Sequence, residues 1–273
     1  MRIRKRYMLL AFASVAALAV GGSAFGNHVS NTSTLSGSKI TPSTLPFNTY
    51  KPASLFVHTG TVYAHPNVPE LGGKAKTVTL YFDDDGKLNL TGIPKCTANF
   101  GAGTTIAQAW ERCGPGADTA PEVNAYMSPP TAVSGKVSTA PPSNFNGCTL
   151  VFNGPTNAQG NPTVYLFARV TFAQTSNCAS PASNSTGNTT VTLRGTITDE
   201  PDASDFGKRL TVPNIDLAPL PLDDFTATVK RASVISARCH DANKILNIKA
   251  TFQYSGSGQP TDTANATQAC TIG

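Results

Sequence analysis

The stretch TDEPDASDFG, residues 198–207, places Asp199, Glu200, Asp202 and Asp205 in one predicted loop. Hard oxygen ligands gathered on a loop suit calcium, so these four are the candidate metal ligands. The same composition also describes a solvated turn between the strands VTLRGTI and KRLTVPNI. Glycosidase chemistry would need two carboxyls about 5–9 Å apart across a cleft, which one loop does not supply. A second acidic run, YFDDDGKLNLTGIPKC, invites comparison with a helix-flanked calcium loop. Counted back from Gly86, that loop would take ligands from Tyr81, Asp83, Asp85 and Gly92, and two of the four carry no suitable oxygen. A strand through Phe82, a turn on Asp83–Gly86 closed by a glycine at positive φ, and a return strand through Leu88 and Leu90 is the expected arrangement.

The histidines are sparse. His28 lies near the N-terminus, and His58 and His65 stand seven apart in HTGTVYAH, an odd separation that sends them to opposite faces of a strand. His240 directly precedes Asp241, and chain neighbours cannot by themselves form a Ser–His–Asp relay. No G-x-S-x-G elbow or H-E-x-x-H helix occurs, so no catalytic residues are assigned and no cofactor beyond calcium is suggested.

The N-terminus reads as an address. Arg2, Arg4, Lys5 and Arg6 precede the apolar run YMLLAFASVAALAVGGSAFG, with Ala24 and Gly26 at the small-residue positions of a cleavage site. Residues 1–26 are therefore expected to be a secretory signal peptide. No cysteine stands at the end of the apolar run, which argues against a lipoprotein anchor, and no second long apolar run predicts a membrane span after cleavage. The signal accounts for four of the 21 Lys and Arg and none of the 16 Asp and Glu, leaving 17 against 16. A balance of +1 gives no electrostatic case for nucleic acid as a partner. All six cysteines (Cys96, Cys113, Cys148, Cys178, Cys239 and Cys270) follow the signal, and an even count in an oxidising compartment predicts three disulfides. Six cysteines permit fifteen connectivities; sequential pairing is favoured.

Residues 27–46 are rich in Ser and Thr and nearly uncharged, and are expected to form a flexible tail. Residues 47–273 are expected to be a single β-rich domain. Its dominant signal has period two. TVTLYF sets Val78, Leu80 and Phe82 on one face, and VYLFARVTF sets Val164, Leu166, Ala168, Val170 and Phe172 there. VTLRGTI contributes Val191, Leu193 and Ile197; FTATV contributes Phe225, Ala227 and Val229; LNIKATFQY contributes Leu246, Ile248, Ala250, Phe252 and Tyr254. Such alternation predicts half-buried antiparallel strands. Runs such as SPPTAVSGKVSTAPPSNFNG read as connections. GTTIAQAWERCG breaks the period, predicting one helix over Thr104–Cys113 with Trp110 as a core anchor. The fold class is mainly β, an antiparallel sandwich or partly open barrel of eight to twelve strands with one short α-helix.

Several of these pieces, YFDDDGKLNLTGIPKC, AWERCG, LVFNGPTNAQGNPTVYLFARV and SARCHDANKILNIKATFQYSGSG…QAC, resemble a group of exported, mostly uncharacterised β-rich proteins of soil actinobacteria. The likeness covers most of residues 75–270 and implies a disulfide-stapled β domain outside the cytoplasm. Cys148 and Cys178 look like an addition to the two pairs usual in the group, which supports pairing them together. The shared motifs are structural and imply no activity. The expected function is a non-enzymatic module of the cell surface or medium. It would bind carbohydrate, cell-wall polymer or a protein partner through Thr-rich strand faces and the tyrosines Tyr63, Tyr126, Tyr165 and Tyr254. The alternative is an extracellular hydrolase whose site assembles from distant residues.

Fractionation of cells producing the full chain, followed with an antibody, should place the protein outside the cytoplasm, shortened by the signal. Full-length protein held in the cytosol would exclude this.

Overall fold

The computed structural model describes residues 31–62, 74–114, 124–136, 144–171, 189–200, 205–215, 222–231, 233–240, 244–255 and 261–273. The signal segment, His65, Cys178 and Asp202 lie outside them.

The chain begins with three short strands, β1 (Thr32–Thr34), β2 (Lys39–Thr41) and β3 (Thr44–Leu45), then β4 (Lys51–Val62), β5 (Ala75–Asp83) and β6 (Gly86–Leu88). A single described helix, here α1 (Ile106–Cys113), precedes β7 (Tyr126–Lys136), β8 (Asn144–Gly154), β9 (Thr163–Thr171) and β10 (Thr189–Asp199). There follow β11 (Phe206–Pro213), β12 (Leu222–Val229), β13 (Ile235–Ala237), β14 (Ile245–Tyr254), β15 (Asp262–Ala269) and β16 (Thr271–Ile272). Ten of these strands are eight or more residues long, within the expected range, and the rest are short edge pieces.

One sheet runs in the order β15-β14-β5-β11-β10-β9-β8-β7-β12-β4, with antiparallel pairing throughout. Through different stretches, β4 also pairs with β1, β2 and β13, and β13 carries β6. The sheet curls until β15 approaches β1 and β2, but no backbone ladder closes it. Side chains stitch that seam instead. The Gln268 amide accepts from the Ile40 N–H at 2.7 Å and donates to the Ile40 carbonyl at 2.7 Å, presenting to β2 what a strand backbone would. Asp262 accepts from the Ser33 N–H at 2.5 Å, and Ser33 Oγ lies 2.5 Å from the Tyr254 hydroxyl.

For residues 31–46 the seam corrects the reading of residues 27–46 as a flexible tail, and residues 27–30 lie outside the described residues. From Asn31 onward this segment is ordered in β1–β3, with Leu35, Ile40 and Leu45 buried in the main core. Low apolar content suggested disorder, yet three well-spaced aliphatic side chains and ladders onto β4 suffice where a ready-made sheet edge waits.

The Pro- and Ser-rich run around 128–147 is likewise more than a connection, because β7 passes through it between β8 and β12. The register shifts between Tyr126 and Ser128 and again between Ser128 and Thr131, across the prolines at 129 and 130, which have no N–H to give the ladder.

Apolar side chains collect on both sheet faces. Those facing the interior, among them Leu55, Val57, Leu80, Val151, Val164, Ile197 and Ile248, form the larger cluster. Outside, α1 covers Cys148, Leu150, Phe152, Tyr165 and Phe167 with Ile106 and Ala109. The helix starts at Ile106 rather than Thr104 because Thr105 caps it. Thr105 Oγ1 accepts from the Gln108 N–H at 3.1 Å, and the Gln108 side chain accepts from the Thr105 N–H at 2.9 Å. Trp110 is half-buried at the edge of this cluster, its ring edge-on to Tyr126 at 5.3 Å.

Disulfides Cys96–Cys113 and Cys239–Cys270 tie the helix and the C-terminal strands in place. Cys148 is also disulfide-bonded. Its expected partner, Cys178, lies outside the described residues.

Burial raises the Tyr254 pKa above its ordinary value of 10.0, and hydrogen bonds with Ser33 and Thr61 oppose this in part. The unfolded chain therefore ionises at this phenol first. The stability contributed by the neutral phenol is complete below about pH 10 and is lost as pH rises through the higher folded-state value. Urea titrations across this range should show a falling limb. In Tyr254→Phe that limb should be shallower, with about 1 kcal/mol lost at neutral pH with the hydrogen bond.

Candidate functional site

The period-two faces read from the sequence converge on one space. Val78, Leu80 and Phe82 of β5, Val164, Leu166, Ala168 and Val170 of β9, and Val191, Leu193 and Ile197 of β10 all line a cavity of about 180 Å³. From the opposite wall Leu55 and Val57 of β4 and Phe225, Ala227 and Val229 of β12 complete it. The lumen exists because a sheet of this breadth curls with too wide a radius for Val, Leu and Ala to meet across the centre. Sheets of about eight strands can be filled by side chains or hold one small ligand, and broader ones leave open space.

Thr149 on β8 interrupts the aliphatic wall. It is 1% exposed, and its hydroxyl has no hydrogen-bond partner among the described residues. A buried hydroxyl without a partner costs about 1–3 kcal/mol in lost hydration.

No described histidine lines the lumen, and Asp83 is the carboxylate that does. Asp83 is fully buried, with one oxygen accepting from the Asp85 N–H at 2.9 Å and the other from the Asn247 N–H at 2.6 Å. Asp85, 1% exposed, accepts from Arg238 Nε at 2.7 Å and from the His240 N–H at 2.6 Å. The bond to Asp85 raises the Arg238 pKa. Arg238 and Lys87 both lie over the Tyr50 ring, 4.8 and 3.9 Å from its centroid.

The aspartates thus serve a turn, as expected, but a different one. β6 does not return along β5; it pairs with β13, so the chain turns a corner and starts a new ladder. Gly86 is not at positive φ, which corrects its expected role. A Cβ there would lie 3.2 Å from the Asp83 carbonyl, so what the position requires is closeness. The two buried carboxylates bind this corner to residues 238–247, a role that a local reading of DDDG cannot show.

Two of the three described acids of the loop are paired with cations. Asp199 pairs with Lys208, and Glu200 with Arg209 at 3.1 Å. Asp205 is exposed and its carbonyl accepts from the Asp84 N–H at 3.3 Å. No cluster of three potential metal ligands occurs among the described residues. His58 pairs with Asp224 at 2.7 Å, a half-exposed contact between β4 and β12 outside the large cavity, and His240 is exposed against the Phe47 ring.

Nor do the tyrosines form a sugar-stacking platform. Tyr165 and Tyr254 are buried and Tyr126 packs on Trp110, while Tyr63 lies outside the described residues. Tyr81 is the better-placed ring. It shares the outer face with Phe206, and Lys249 sits 4.1 Å above its centroid. Beside it the register aligns Thr263, Thr251, Thr79, Thr211 and Thr196 across five adjacent strands.

Searches against family models, curated proteins and solved structures found no match to this chain.

Asp85→Ala removes the acceptor for Arg238 Nε and the His240 N–H, and should lower stability by about 3 kcal/mol in urea denaturation. Because Asp83 and Asp85 hold protein donors, melting curves in millimolar calcium and in chelator should coincide. An upward shift in calcium that Asp85→Ala abolishes would make the corner a metal loop.

Proposed function

We propose that this chain is an exported, non-enzymatic binding protein that takes a small apolar molecule into the lumen of its curled sheet. The carrying observation is the cavity of about 180 Å³ with its almost unbroken aliphatic wall. An engineered cavity of about 150 Å³ with comparable lining takes up benzene. Concave, largely apolar spaces with few polar groups are the usual form of small-molecule sites. The charged groups of the described lining are engaged elsewhere: Asp83 accepts from backbone N–H groups, Lys208 pairs with Asp199 and Lys87 lies over the Tyr50 ring. The exported location rests on the signal-like N-terminus and the disulfides.

A second reading keeps the carbohydrate or cell-wall polymer as partner and moves it to the outer face. Its support is the aligned threonine row, at the strand spacing of about 4.8 Å, beside Tyr81, Lys249 and Arg209.

The two readings separate in one set of measurements. Titrating the protein with p-xylene should raise its melting temperature in proportion to the logarithm of ligand concentration above Kd, because a ligand that binds only the folded state adds about 2.7 kcal/mol at a hundredfold excess over its Kd. Ala168→Leu and Ala168→Phe, which fill the lumen in steps, should shrink and then abolish the shift. Absence of any shift, with retention on insoluble cell-wall polysaccharide that Tyr81→Ala destroys, would transfer the function to the outer face.

A further inference from the structure

The lumen wall is aliphatic where the strands are longest, and Thr149 stands in it with a hydroxyl that no described group satisfies. Thr149 lies opposite Ala168 across the β8–β9 ladder, two residues from Val151 on the same face. Valine has the same shape, and it would seal the wall without burying a polar atom. We infer that the lumen's ligand is a hydrocarbon-framed alcohol, phenol or ketone whose oxygen bonds to Thr149 Oγ1. This rests on the lumen being a binding site and narrows what it takes.

The chemistry follows from the hydroxyl itself. A threonine hydroxyl both donates and accepts, so it serves a ligand hydroxyl in either sense and a carbonyl as donor. In a wall of low polarity such a bond strengthens, and an unmatched group is penalised more. A ligand without an oxygen leaves the orphan as it is, whereas one with a suitably placed oxygen removes the penalty on binding. A carboxylate is not the expected head group. Asp83, the acidic residue of the described lining, accepts from backbone N–H groups and would repel an anion; of the lining lysines, Lys208 is paired with Asp199 and Lys87 lies over the Tyr50 ring.

The test compares p-xylene with p-cresol, near-isosteres that differ by a methyl and a hydroxyl, against the wild-type protein and Thr149→Val by calorimetric titration. The expected result is that Thr149→Val weakens p-cresol about tenfold, the loss of one hydrogen bond, and leaves p-xylene unchanged or tighter. Thr149→Ser, which keeps the hydroxyl, should keep the wild-type preference. Since the orphan is removed, Thr149→Val should also melt higher than wild type in the absence of ligand. If p-xylene binds and p-cresol is indifferent to Thr149→Val, the ligand class assigned here is wrong while the lumen remains a site. If neither compound binds the wild-type protein, the lumen reading itself falls, and this inference with it.

Discussion

Every long strand of this protein has to turn one face toward the same interior, and the rest of the structure follows from that constraint. Alternating aliphatic side chains on β4, β5, β9, β10, β11, β12 and β14 drive the sheet to curl, since only by curling can one continuous surface bury its own apolar side. The breadth of the sheet sets the radius, and the radius leaves the centre unfilled by residues the size of valine and leucine. The lumen is thus a consequence of strand number and residue size together.

Curling creates a problem at the ends. An open edge exposes unpaired N–H and C=O groups, which invite pairing with another chain. Here the edges of β15 and of β1 and β2 come together, and Gln268 and Asp262 supply with side chains the hydrogen bonds that a ladder would have made. The polar composition of the N-terminal segment and of β15, rich in Ser, Thr, Asn and Gln, then has a physical use. These residues form a seam of side-chain bonds beside Leu35, Ile40 and Leu45, which anchor it from within.

The corner after β5 solves a second problem. The chain must leave the main sheet and begin another ladder without exposing the end of the lumen. Asp83 and Asp85 do this by accepting from backbone N–H groups of residues far along the chain and from Arg238. Buried carboxylates are costly unless every oxygen is satisfied, and these have donors in place. They help to hold the segment next to Cys239, whose disulfide to Cys270 secures the last strands. The corner, the C-terminal strands and the seam therefore form one connected unit around the lumen.

Much of this was legible in the residues. The alternation in β5, β9, β10 and β12 identified the faces that line the lumen, because a strand's period of two is set by its backbone alone. The cap at Thr105 and the helical spacing of Ile106, Ala109 and Cys113 are equally local, and they placed the helix to within its first turn. Other features were invisible for a shared reason: they depend on partners distant in sequence. The Ser/Thr-rich segment became strands because β4 offered an edge, and the proline-bearing β7 was held by neighbours on both sides. The aspartates read as a simple turn because their donors lie more than 150 residues away. Nothing in the residues around it singles out Thr149. Only the closing of the sheet decided that it faces an apolar interior, since which side of a strand becomes the inside is a property of the whole curl.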